Sequence, residues 1–307
     1  MSASSPAWCL KVDVDTHDGM RDGVPVLLDV FKKFNLRATF FLAFGPDNSG
    51  KAIWNVSRQK GFLKKMIRTG APKLYGWRTV LSGTLLPARM IAVKFPDIVR
   101  RIADEGHEVG IHAWDHRLWQ DHLERLSFHK IAEQYSRACD AFESILGRRP
   151  SAAAAPAWLM TPVSLKAQDE LGFLYASDMR GGRPGYPVLA GYRSNTLQIP
   201  TTQPCLEELI NLGERNLNAC LNRLLSAGEG VNPIVLPLHA EVEGGPYRGF
   251  LENLLSGIRA RGGKVQLLEQ VARDLLSAPS RPPPIPAELG PQAGRAGRVL
   301  RPRPVVS

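Results

Sequence analysis

The segment Lys11-Val-Asp-Val-Asp-Thr16 closes an apolar run that begins at Trp8. A short run of this kind, with valines between the charged residues, is typical of a buried strand. Because side chains alternate along a strand, Asp13 and Asp15 face the same side, roughly 6 to 7 Å apart. The two carboxylates either begin a solvated loop or form a pair in which one binds a metal and the other accepts a proton.

Similar apolar runs recur along the chain, with room for a helix between them. The predicted strands are residues 8–14, 38–44, 108–111, 173–177, 197–200, 234–238 and 264–268. The predicted helices are residues 22–34, 96–104, 127–146, 161–170, 206–227 and 249–261. This alternation predicts an α/β fold, a distorted (β/α) barrel of about seven parallel strands, with its catalytic residues at the C-terminal ends of the strands.

One barrel is predicted for residues 8–276, and two segments depart from its rhythm. Residues 48–96, after the second strand, are too long for a strand-to-helix connection and predict a helical insertion. Residues 277–307 are rich in Pro, Gly and Arg and lack a hydrophobic period. That composition predicts a disordered tail.

The net charge of +10 is concentrated in these two segments. Residues 48–96 carry ten Lys or Arg and no Asp or Glu, and residues 278–307 carry five Arg and one Glu. The rest of the chain is therefore mildly acidic, and the basic character predicts a local anionic partner rather than a general one.

The four cysteines, Cys9, Cys139, Cys205 and Cys220, show no paired spacing. Reduced thiols of a cytosolic protein fit this pattern best. No leader is visible in residues 1–6, and no apolar stretch is long enough to span a bilayer. We therefore expect a cytoplasmic protein.

A second informative block is Gly106-His-Glu-Val-Gly-Ile-His-Ala-Trp-Asp-His116. His112 and His116 are four residues apart, so a helical turn after the strand would aim both imidazoles at one point. With Asp15 they would make a two-His-one-carboxylate set for one divalent metal ion. Zinc is the default ion, and manganese, cobalt or iron would also suit these ligands. Taken alone, this spacing indicates a core position or a chance occurrence about as often as a metal site.

The third block, Ile234-Val-Leu-Pro-Leu-His239, is a buried strand that ends in a histidine. At the strand-end face of a barrel, His239 could act as the general acid that protonates a leaving amine. Without the other two blocks, a histidine satisfied within the core would be the better interpretation.

In this order, the three blocks resemble the polysaccharide deacetylase (NodB-homology) superfamily. Within it they are most similar to deformylases of the lipid A aminoarabinose pathway, which act on undecaprenyl-phosphate-linked 4-deoxy-4-formamido-L-arabinose. The matching phrases are Val14-Asp-Thr16, Gly45-Pro-Asp-Asn48, Leu74-Tyr-Gly-Trp77, Glu108-Val-Gly-Ile-His-Ala-Trp-Asp-His116, Ser177-Asp178 with Arg180-Gly181, Gln198-Ile-Pro200 and His239-Ala-Glu-Val-Glu-Gly244.

The resemblance implies metal-dependent hydrolysis of an N-formyl amide, which releases formate and a 4-amino sugar. It implies Asp13 as general base and His239 as general acid. It implies Asp15, His112 and His116 as the metal ligands. Supporting or substrate contacts are expected from the other residues of the matching phrases, namely Arg180, Asp178, Trp114, Tyr75, Trp77 and Glu241.

The chain departs from the superfamily at one motif. Deacetylases of this superfamily carry an Arg-x-Pro-aromatic-Gly motif whose arginine holds the base aspartate, but residues 151–158 contain no arginine. The nearest replacement is Arg180, ordered by Asp178; a purely structural salt bridge for Arg180 is equally compatible. The deformylases also carry Trp-Arg where this chain has Trp158-Leu159.

The basic insertion places aromatic and aliphatic residues among cations, which is typical of a segment lying on anionic lipid. Trp54, Lys64, Lys65 and Arg68 are the expected membrane contacts. We therefore expect a polyprenyl-phosphate-linked amino sugar and the inner face of the cytoplasmic membrane as partners, with no nucleic acid and no obligate protein partner. A local core with a solvated basic face, stacking on nucleic acid, and a soluble phosphorylated sugar are the alternatives.

Other functions fit the same blocks. They are a deacetylase of another N-acylated amino sugar or lipid-linked glycan, a cyclic ureide hydrolase, and a non-catalytic barrel that binds membrane or RNA. The complete set of base, three ligands and acid favours an enzyme, because a decayed site would be expected to lose some of them.

Overall fold

The computed structural model describes residues 7–50, 87–226 and 232–304. Its strands are β1 (Ala7–Val14), β2 (Thr39–Leu42), β3 (Pro46–Asp47), β4 (Arg89–Met90), β5 (Glu108–Ile111), β6 (Ala152–Ala153), β7 (Tyr175–Ala176), β8 (Tyr186–Leu189), β9 (Tyr192–Arg193), β10 (Ile234–His239), β11 (Lys264–Val265), β12 (Pro284–Pro291) and β13 (Arg298–Pro302). Its α-helices are α1 (Val24–Phe34), α2 (Pro96–Asp104), α3 (His116–His122), α4 (Phe128–Leu146), α5 (Pro162–Asp169), α6 (Leu206–Asn211), α7 (Leu217–Ser226), α8 (Ala240–Glu243), α9 (Arg248–Ala260) and α10 (Leu268–Ser277).

Seven strands form one parallel sheet in the order β10-β1-β2-β5-β6-β7, and β11 pairs with the first residues of β1. The sheet curls into a half-barrel with helices around it. Strands β1 and β10 are almost wholly buried, because parallel strands have both faces covered. The predicted α/β class and seven-stranded, barrel-type sheet are confirmed.

Residues 197–203 lie between the two edges of this sheet. On one side the backbone N–H of Ile199 donates to the carbonyl of Ala176 at 2.9 Å, and on the other the N–H of Gln203 donates to the carbonyl of Val235 at 3.0 Å. The strand predicted for residues 197–200 is therefore present only as single bridges, such as that between Ala176 and Gln198. These hydrogen bonds tie β7 to β10.

Local sequence signals explain where the helices begin and end. The hydroxyl of Ser127 accepts a hydrogen bond from the N–H of Lys130 at the start of α4, and Gly147 ends that helix with a φ of 68°. Ile131, Tyr135 and Phe142 are spaced to lie on one face of α4, and all three are buried. This helix agrees with the predicted residues 127–146.

The single helix predicted for residues 206–227 is wrong, because the chain divides there into α6 and α7. Between them Gly213 has a φ of 96°, a conformation that a residue with a Cβ rarely adopts. The apolar spacing of the two helices continues across this glycine and therefore resembles the pattern of one long helix.

The predicted insertion is anchored at its base by β3 and β4. Pro46 pairs with Met90, and Asp47 pairs with Arg89, in an antiparallel ladder. The guanidinium of Arg89 also contacts the carboxylate of Asp18 at 2.8 Å, so one insertion cation is neutralised locally. Residues 51–86 lie outside the described residues, and with them the predicted membrane contacts Trp54, Lys64, Lys65 and Arg68.

The prediction of a disordered tail is wrong for most of that segment. Strands β12 and β13 join β8 and β9 in a second, four-stranded sheet. Ile285, Ala287, Val299 and Leu300 are buried in it. The alternation of Pro284-Ile-Pro-Ala287 is a strand pattern in which the prolines take the exposed positions, and its high proline content concealed it.

The described cysteines are all free and buried. None of the helices within residues 7–50, 87–226 and 232–304 has the length and apolarity needed to cross a bilayer.

Candidate active site

The C-terminal ends of three strands bring the predicted chemical residues together. In the register of the sheet Asp13 on β1 lies beside His239 at the end of β10. His112 directly follows β5, and His116 is the first residue of α3. These four residues are buried, and Asp15, the fifth predicted residue, is partly exposed. The barrel therefore brings the five predicted catalytic and ligand residues together at the face formed by the C-terminal strand ends, which we call the mouth.

Asp15, His112 and His116 form a compact cluster whose potential ligand atoms all lie within 4.8 Å of one another. The Nε2 atoms of His112 and His116 each lie 3.3 Å from a carboxylate oxygen of Asp15. Among the described residues no donor meets hydrogen-bond geometry with the buried Oδ1 of Asp15. A carboxylate whose two oxygens each face one imidazole nitrogen is an arrangement that a divalent cation would satisfy, so the residues fit a metal ion.

The chain between the two histidines turns sharply. Ala113 has a φ of 58°, and the carboxylate of Asp115 accepts hydrogen bonds from the N–H groups of Arg117 and Leu118. This cap begins α3 at His116 and so fixes where the imidazole of His116 lies relative to His112. The ring centroids of the two histidines are 5.3 Å apart.

The electrostatics of the cluster favour an ionised Asp15. Burial alone would raise the pKa of the Asp15 carboxyl, but the charge on His116 and the side-chain contacts with His112 and His116 hold that pKa well below its ordinary value. A carboxylate is the form in which aspartate binds a metal ion.

A hydrogen-bonded chain fixes His112 from behind. Its Nδ1 lies 2.8 Å from the carbonyl oxygen of Ala154, which leaves Nε2 facing Asp15. The N–H of the same peptide unit, that of Ala155, donates to Oδ1 of Asp178 at 2.6 Å. Asp178 is fully buried and also accepts hydrogen bonds from Gln168 and Gln198 at 2.9 and 2.8 Å.

Asp178 thus holds the peptide that orients His112, and the prediction that it orders Arg180 is wrong. Arg180 donates instead to Oε2 of Glu208 at 2.6 Å and to the carbonyl oxygen of Gln203 at 3.0 Å. Its guanidinium also lies over the ring of Trp158 at 4.7 Å. Arg180 is therefore occupied by a buried ion pair, which was the alternative interpretation of this residue.

The cation that contacts Asp13 is Lys11. Its Nζ donates to Oδ1 of Asp13 at 2.6 Å and contacts Oδ2 as well. Sequence reasoning missed this residue, although the signal was present. The period of two that places Asp13 and Asp15 on one face of β1 places Lys11 on the same face.

Glu207 orients His239, and no motif in the sequence points to this glutamate. Nδ1 of His239 lies 2.9 Å from Oε1 of Glu207 on α6. Burial lowers the pKa of His239, but the neighbouring Glu207 carboxylate outweighs it and raises that pKa well above its ordinary value. Burial would raise the pKa of the Glu207 carboxyl, but the neighbouring His239 lowers it below its ordinary value.

Glu241 and Glu243 surround the same histidine. Oε2 of Glu243 accepts a hydrogen bond from the backbone N–H of His239 at 2.8 Å, and burial together with Glu207 raises the pKa of Glu243 to about 8. Burial and the nearby Asp15 raise the pKa of Glu241 well above its ordinary value. Among the described residues no donor meets hydrogen-bond geometry with the buried Oε2 of Glu241.

Cys205, Glu207 and His239 form a second group whose potential ligand atoms lie within 4.8 Å. Burial, with the charge of Glu207, raises the pKa of the Cys205 thiol well above its ordinary value. A thiol that stays protonated is a poor metal ligand, so the Asp15 cluster is the better metal site.

The predicted substrate contacts are only partly described. Trp114 is half-buried, with the guanidinium of Arg137 at 4.3 Å over its ring. It lines a cavity of about 480 Å³ together with Asp115, next to His116, and with Pro46 and Met90 from the base of the insertion. Tyr75 and Trp77 lie outside the described residues.

Comparison with known proteins gives consistent results. The family model described as polysaccharide deacetylase matches residues 11–176. The protein named probable 4-deoxy-4-formamido-L-arabinose-phosphoundecaprenol deformylase in Shewanella sediminis is 35% identical over 265 residues, which cover 85% of this chain and 84% of the relative. The protein of the same name in Wigglesworthia glossinidia brevipalpis is 32% identical over 241 residues, covering 78% and 83% of the two chains.

Solved structures support the fold. A crystal structure from Mycobacterium smegmatis, described among the polysaccharide deacetylases, superimposes with a TM-score of 0.64 at 18% identity and covers 95% of this chain and 96% of its own. A CE4 family pseudoenzyme from Bacillus anthracis superimposes with a TM-score of 0.52 at 14% identity, covering 88% of this chain and 66% of its own. Because the fold also occurs in a pseudoenzyme, the fold alone does not indicate catalysis, whereas the residues at the mouth do.

Proposed function

This chain belongs to the polysaccharide deacetylase family, and we propose that it removes the N-formyl group from undecaprenyl-phosphate-linked 4-deoxy-4-formamido-L-arabinose. As a member of that family it is a hydrolase of amide C–N bonds with a deformylase or deacetylase role. The observation that carries the finer proposal is the 35% identity, over 85% of the chain, with the protein named as the deformylase in Shewanella sediminis.

The proposal assigns Asp15, His112 and His116 as the ligands of one divalent metal ion. When bound, such an ion polarises the acyl oxygen and lowers the pKa of water. Zinc, manganese, cobalt and iron all suit these ligands, and zinc is our first expectation.

Asp13 is proposed as the general base that accepts a proton from the attacking water. It lies at the strand end beside His239, two residues before Asp15, which directly follows β1. Nζ of Lys11 contacts both of its carboxylate oxygens and supplies the countercharge of this buried pair.

His239 is proposed as the general acid that protonates the leaving amine. The Glu207 carboxylate raises its pKa, which keeps the imidazole in the protonated form that can donate. With Nδ1 directed to Glu207, Nε2 is the nitrogen left to face the substrate. The C–N bond breaks as this proton is transferred, giving a free 4-amino sugar and formate.

A deacetylase of another N-acylated amino sugar is the second candidate, and Leu159 is the observation that favours it. The resemblance to the deformylases predicts an arginine after Trp158, but Leu159 packs into the apolar core and offers only its carbonyl, which accepts a hydrogen bond from Trp119 at 2.9 Å. A contact to the substrate that an arginine would supply is therefore replaced or absent.

The experiment that separates the two candidates is product analysis on matched substrates. Synthetic undecaprenyl-phosphate-linked 4-amino-arabinose carrying either an N-formyl or an N-acetyl group is incubated with the protein, and formate and acetate are measured. We expect formate release that is lost in Asp13→Ala. Release of acetate alone, or formate release that Asp13→Ala leaves unchanged, would overturn the proposal.

We also propose that the enzyme acts at the inner face of the cytoplasmic membrane, where a polyprenyl-linked substrate would reside. Supporting this, residues 51–86 carry eight Lys or Arg and no Asp or Glu, interleaved with aromatic and aliphatic residues. Their attachment points, β3 and β4, contribute Pro46 and Met90 to the cavity that Trp114 and Asp115 also line.

A further inference from the structure

Lys11 is a fully buried lysine inside the barrel. Its Nζ contacts both carboxylate oxygens of Asp13, two residues further along β1. Removing an ammonium ion from water is costly unless a countercharge and hydrogen bonds compensate. Burying Lys11 therefore has a desolvation cost. The carboxylate of Asp13, proposed as the general base, is the group that offsets this cost.

Aromatic rings confine the Lys11 ammonium. Nζ lies 4.9 Å from the centroid of the Trp158 ring and 5.3 Å from that of Phe41. These are distances at which a ring face attracts a cation. The two rings leave the ammonium little freedom to leave Asp13.

Trp158 is itself held in place by several contacts. Its Nε1 donates to the hydroxyl of Thr201 at 2.9 Å, and the guanidinium groups of Arg180 and Arg295 lie 4.7 and 4.6 Å from its ring. Trp158 adopts a φ of 52°, in the left-handed region that non-glycine residues rarely visit. The ring beside Lys11 is therefore held by contacts of its own, in a strained loop conformation that these contacts maintain.

The loop that carries Trp158 is the one in which deacetylases of the superfamily place the arginine that holds the base. In this chain residues 151–158 contain no arginine, and Arg180 is committed to Glu208. The positive charge at Asp13 thus comes from the strand of Asp13 itself rather than from the loop.

We propose that Lys11 is the positioning residue for Asp13: it holds the carboxylate in the orientation that accepts a proton from water. This inference rests on the proposed function, because it takes Asp13 as the base. A lysine holds both oxygens as a compact point charge, whereas a guanidinium would engage them as a planar fork. Among the described residues the hydrogen bonds of the Lys11 ammonium go to Asp13, so its effect on the rate is expected through Asp13.

The test measures kcat, KM and metal affinity separately in Lys11→Met, with the N-formyl lipid-linked substrate and with Zn²⁺ alone in calorimetry. Loss of base positioning should lower kcat about 100-fold, within the range of general base catalysis. KM should stay within about threefold, and Zn²⁺ should bind as tightly as before or more tightly, because a nearby positive charge has been removed. Lys11→Arg should restore a substantial part of kcat, since it returns a cation to Asp13.

Lys166→Met is the matched control. The Lys166 ammonium also lies over an aromatic ring, that of Phe128 at 5.7 Å, but on the outer helix α5. It should leave kcat, KM and Zn²⁺ affinity unchanged. A Lys11→Met enzyme with kcat within threefold of wild type, or one that loses Zn²⁺ affinity in parallel with kcat, would overturn the proposal.

A second comparison covers the case in which Lys11→Met does not fold. The double variant Lys11→Met/Asp13→Asn removes both charges of the buried pair, and such a neutral replacement is commonly tolerated. If Lys11 acts only through Asp13, the double variant has the same residual kcat as Asp13→Asn. A double variant at least tenfold slower would contradict the proposal.

The same data separate this proposal from the proposed function. If Asp13→Asn keeps wild-type kcat, the assignment of Asp13 as base fails, whatever Lys11 does. If Asp13→Asn loses activity while Lys11→Met retains it, only the role of Lys11 fails.

Discussion

At the residue scale, two carboxylates position the histidines of the site. Glu207 contacts His239 directly, at 2.9 Å, and Asp178 acts on His112 through the Ala154–Ala155 peptide. In each case the carboxylate fixes one ring nitrogen and leaves the other for chemistry. Such supporting contacts commonly determine both the orientation and the basicity of a histidine.

Replacing Glu207 with Gln should shift the alkaline limb of the pH profile. Catalysis needs protonated His239, so activity falls as pH rises through the pKa of His239. The Glu207 carboxylate raises that pKa, and its loss should move the alkaline limb of kcat/KM to lower pH. The measurement is kcat/KM against pH, with Glu214→Gln in the loop after α6 as a control that keeps the wild-type profile. An unchanged alkaline limb in Glu207→Gln would show that His239 is not the titrating acid.

Replacing Asp178 with Asn should weaken metal binding. Asn cannot accept the same set of three hydrogen bonds from Ala155, Gln168 and Gln198, so the peptide that orients His112 loosens. Losses of this kind typically cost about 10- to 100-fold in metal affinity. Calorimetry with Zn²⁺ measures it.

Asp169→Asn is the matched control for Asp178. Asp169 also accepts several hydrogen bonds, among them those from the hydroxyls of Tyr192 and Ser194, but on α5 and away from the cluster. It should lower the melting temperature without changing Zn²⁺ affinity. Equal Zn²⁺ affinities for Asp178→Asn and wild type would contradict the role assigned to Asp178.

At the element scale, the C-terminal hairpin belongs to the folded body. β12 pairs with β8, and the backbone N–H of Arg180 donates to the carbonyl of Leu300 in β13 at 2.8 Å. Between the two strands, Arg295 lies over Trp158. The C-terminal segment therefore packs against the loops that carry Trp158 and Arg180.

Leu300→Ala tests this packing. Leu300 is fully buried in β13, and removing a buried leucine side chain typically costs about 2 to 5 kcal/mol of unfolding free energy. Arg298→Ala, on the same strand, removes only an exposed ion pair with Glu124 and should cost less than about 1 kcal/mol. Urea denaturation measures both, and a loss below 1 kcal/mol for Leu300→Ala would show that the hairpin is not part of the core.

The elements that could be predicted from sequence share one property: their pattern is local. β1, β5 and β10 are apolar runs, and the five proposed catalytic and ligand residues lie at their C-terminal ends or within five residues of them. Glu207 could not be predicted, because only the break at Gly213 and the packing of α6 bring it to His239. Asp178 was predicted as a supporting residue, but its actual contact was not, because the peptide that links it to His112 belongs to another loop. The tail strands were missed because their alternating apolar residues are set among prolines.

At the scale of the whole molecule, charge separates the barrel from its insertion. Eight cations lie in residues 51–86, whereas the barrel mouth is lined by Asp13, Asp15, Glu207 and Glu241. Asp13 and Glu207 are paired with Lys11 and His239, and burial raises the pKa of Glu241, so Asp15 is the carboxylate left for a metal ion. A basic insertion suits a phosphate-bearing lipid surface.

Lys64→Glu/Lys65→Glu should weaken binding to anionic vesicles. Each basic residue near such a surface contributes about 1 kcal/mol, so reversing two should lower the partition coefficient by roughly 30-fold or more. Flotation with vesicles containing anionic lipid measures it. Lys130→Glu/Lys166→Glu, which makes the same change in net charge on α4 and α5, is the control and should bind like wild type. Unchanged flotation of the insertion variant would contradict the proposed membrane contact.

The central claim is that this barrel hydrolyses an N-formyl amide with a metal ion held by Asp15, His112 and His116. The most direct measurement is formate release from the lipid-linked N-formyl substrate by protein stripped with a chelator and then titrated with Zn²⁺, Mn²⁺ or Co²⁺. We predict that formate release returns with one equivalent of metal per chain in wild type and does not return in His112→Ala or His116→Ala. Undiminished formate release by the metal-free protein, or by either histidine variant, would contradict the claim.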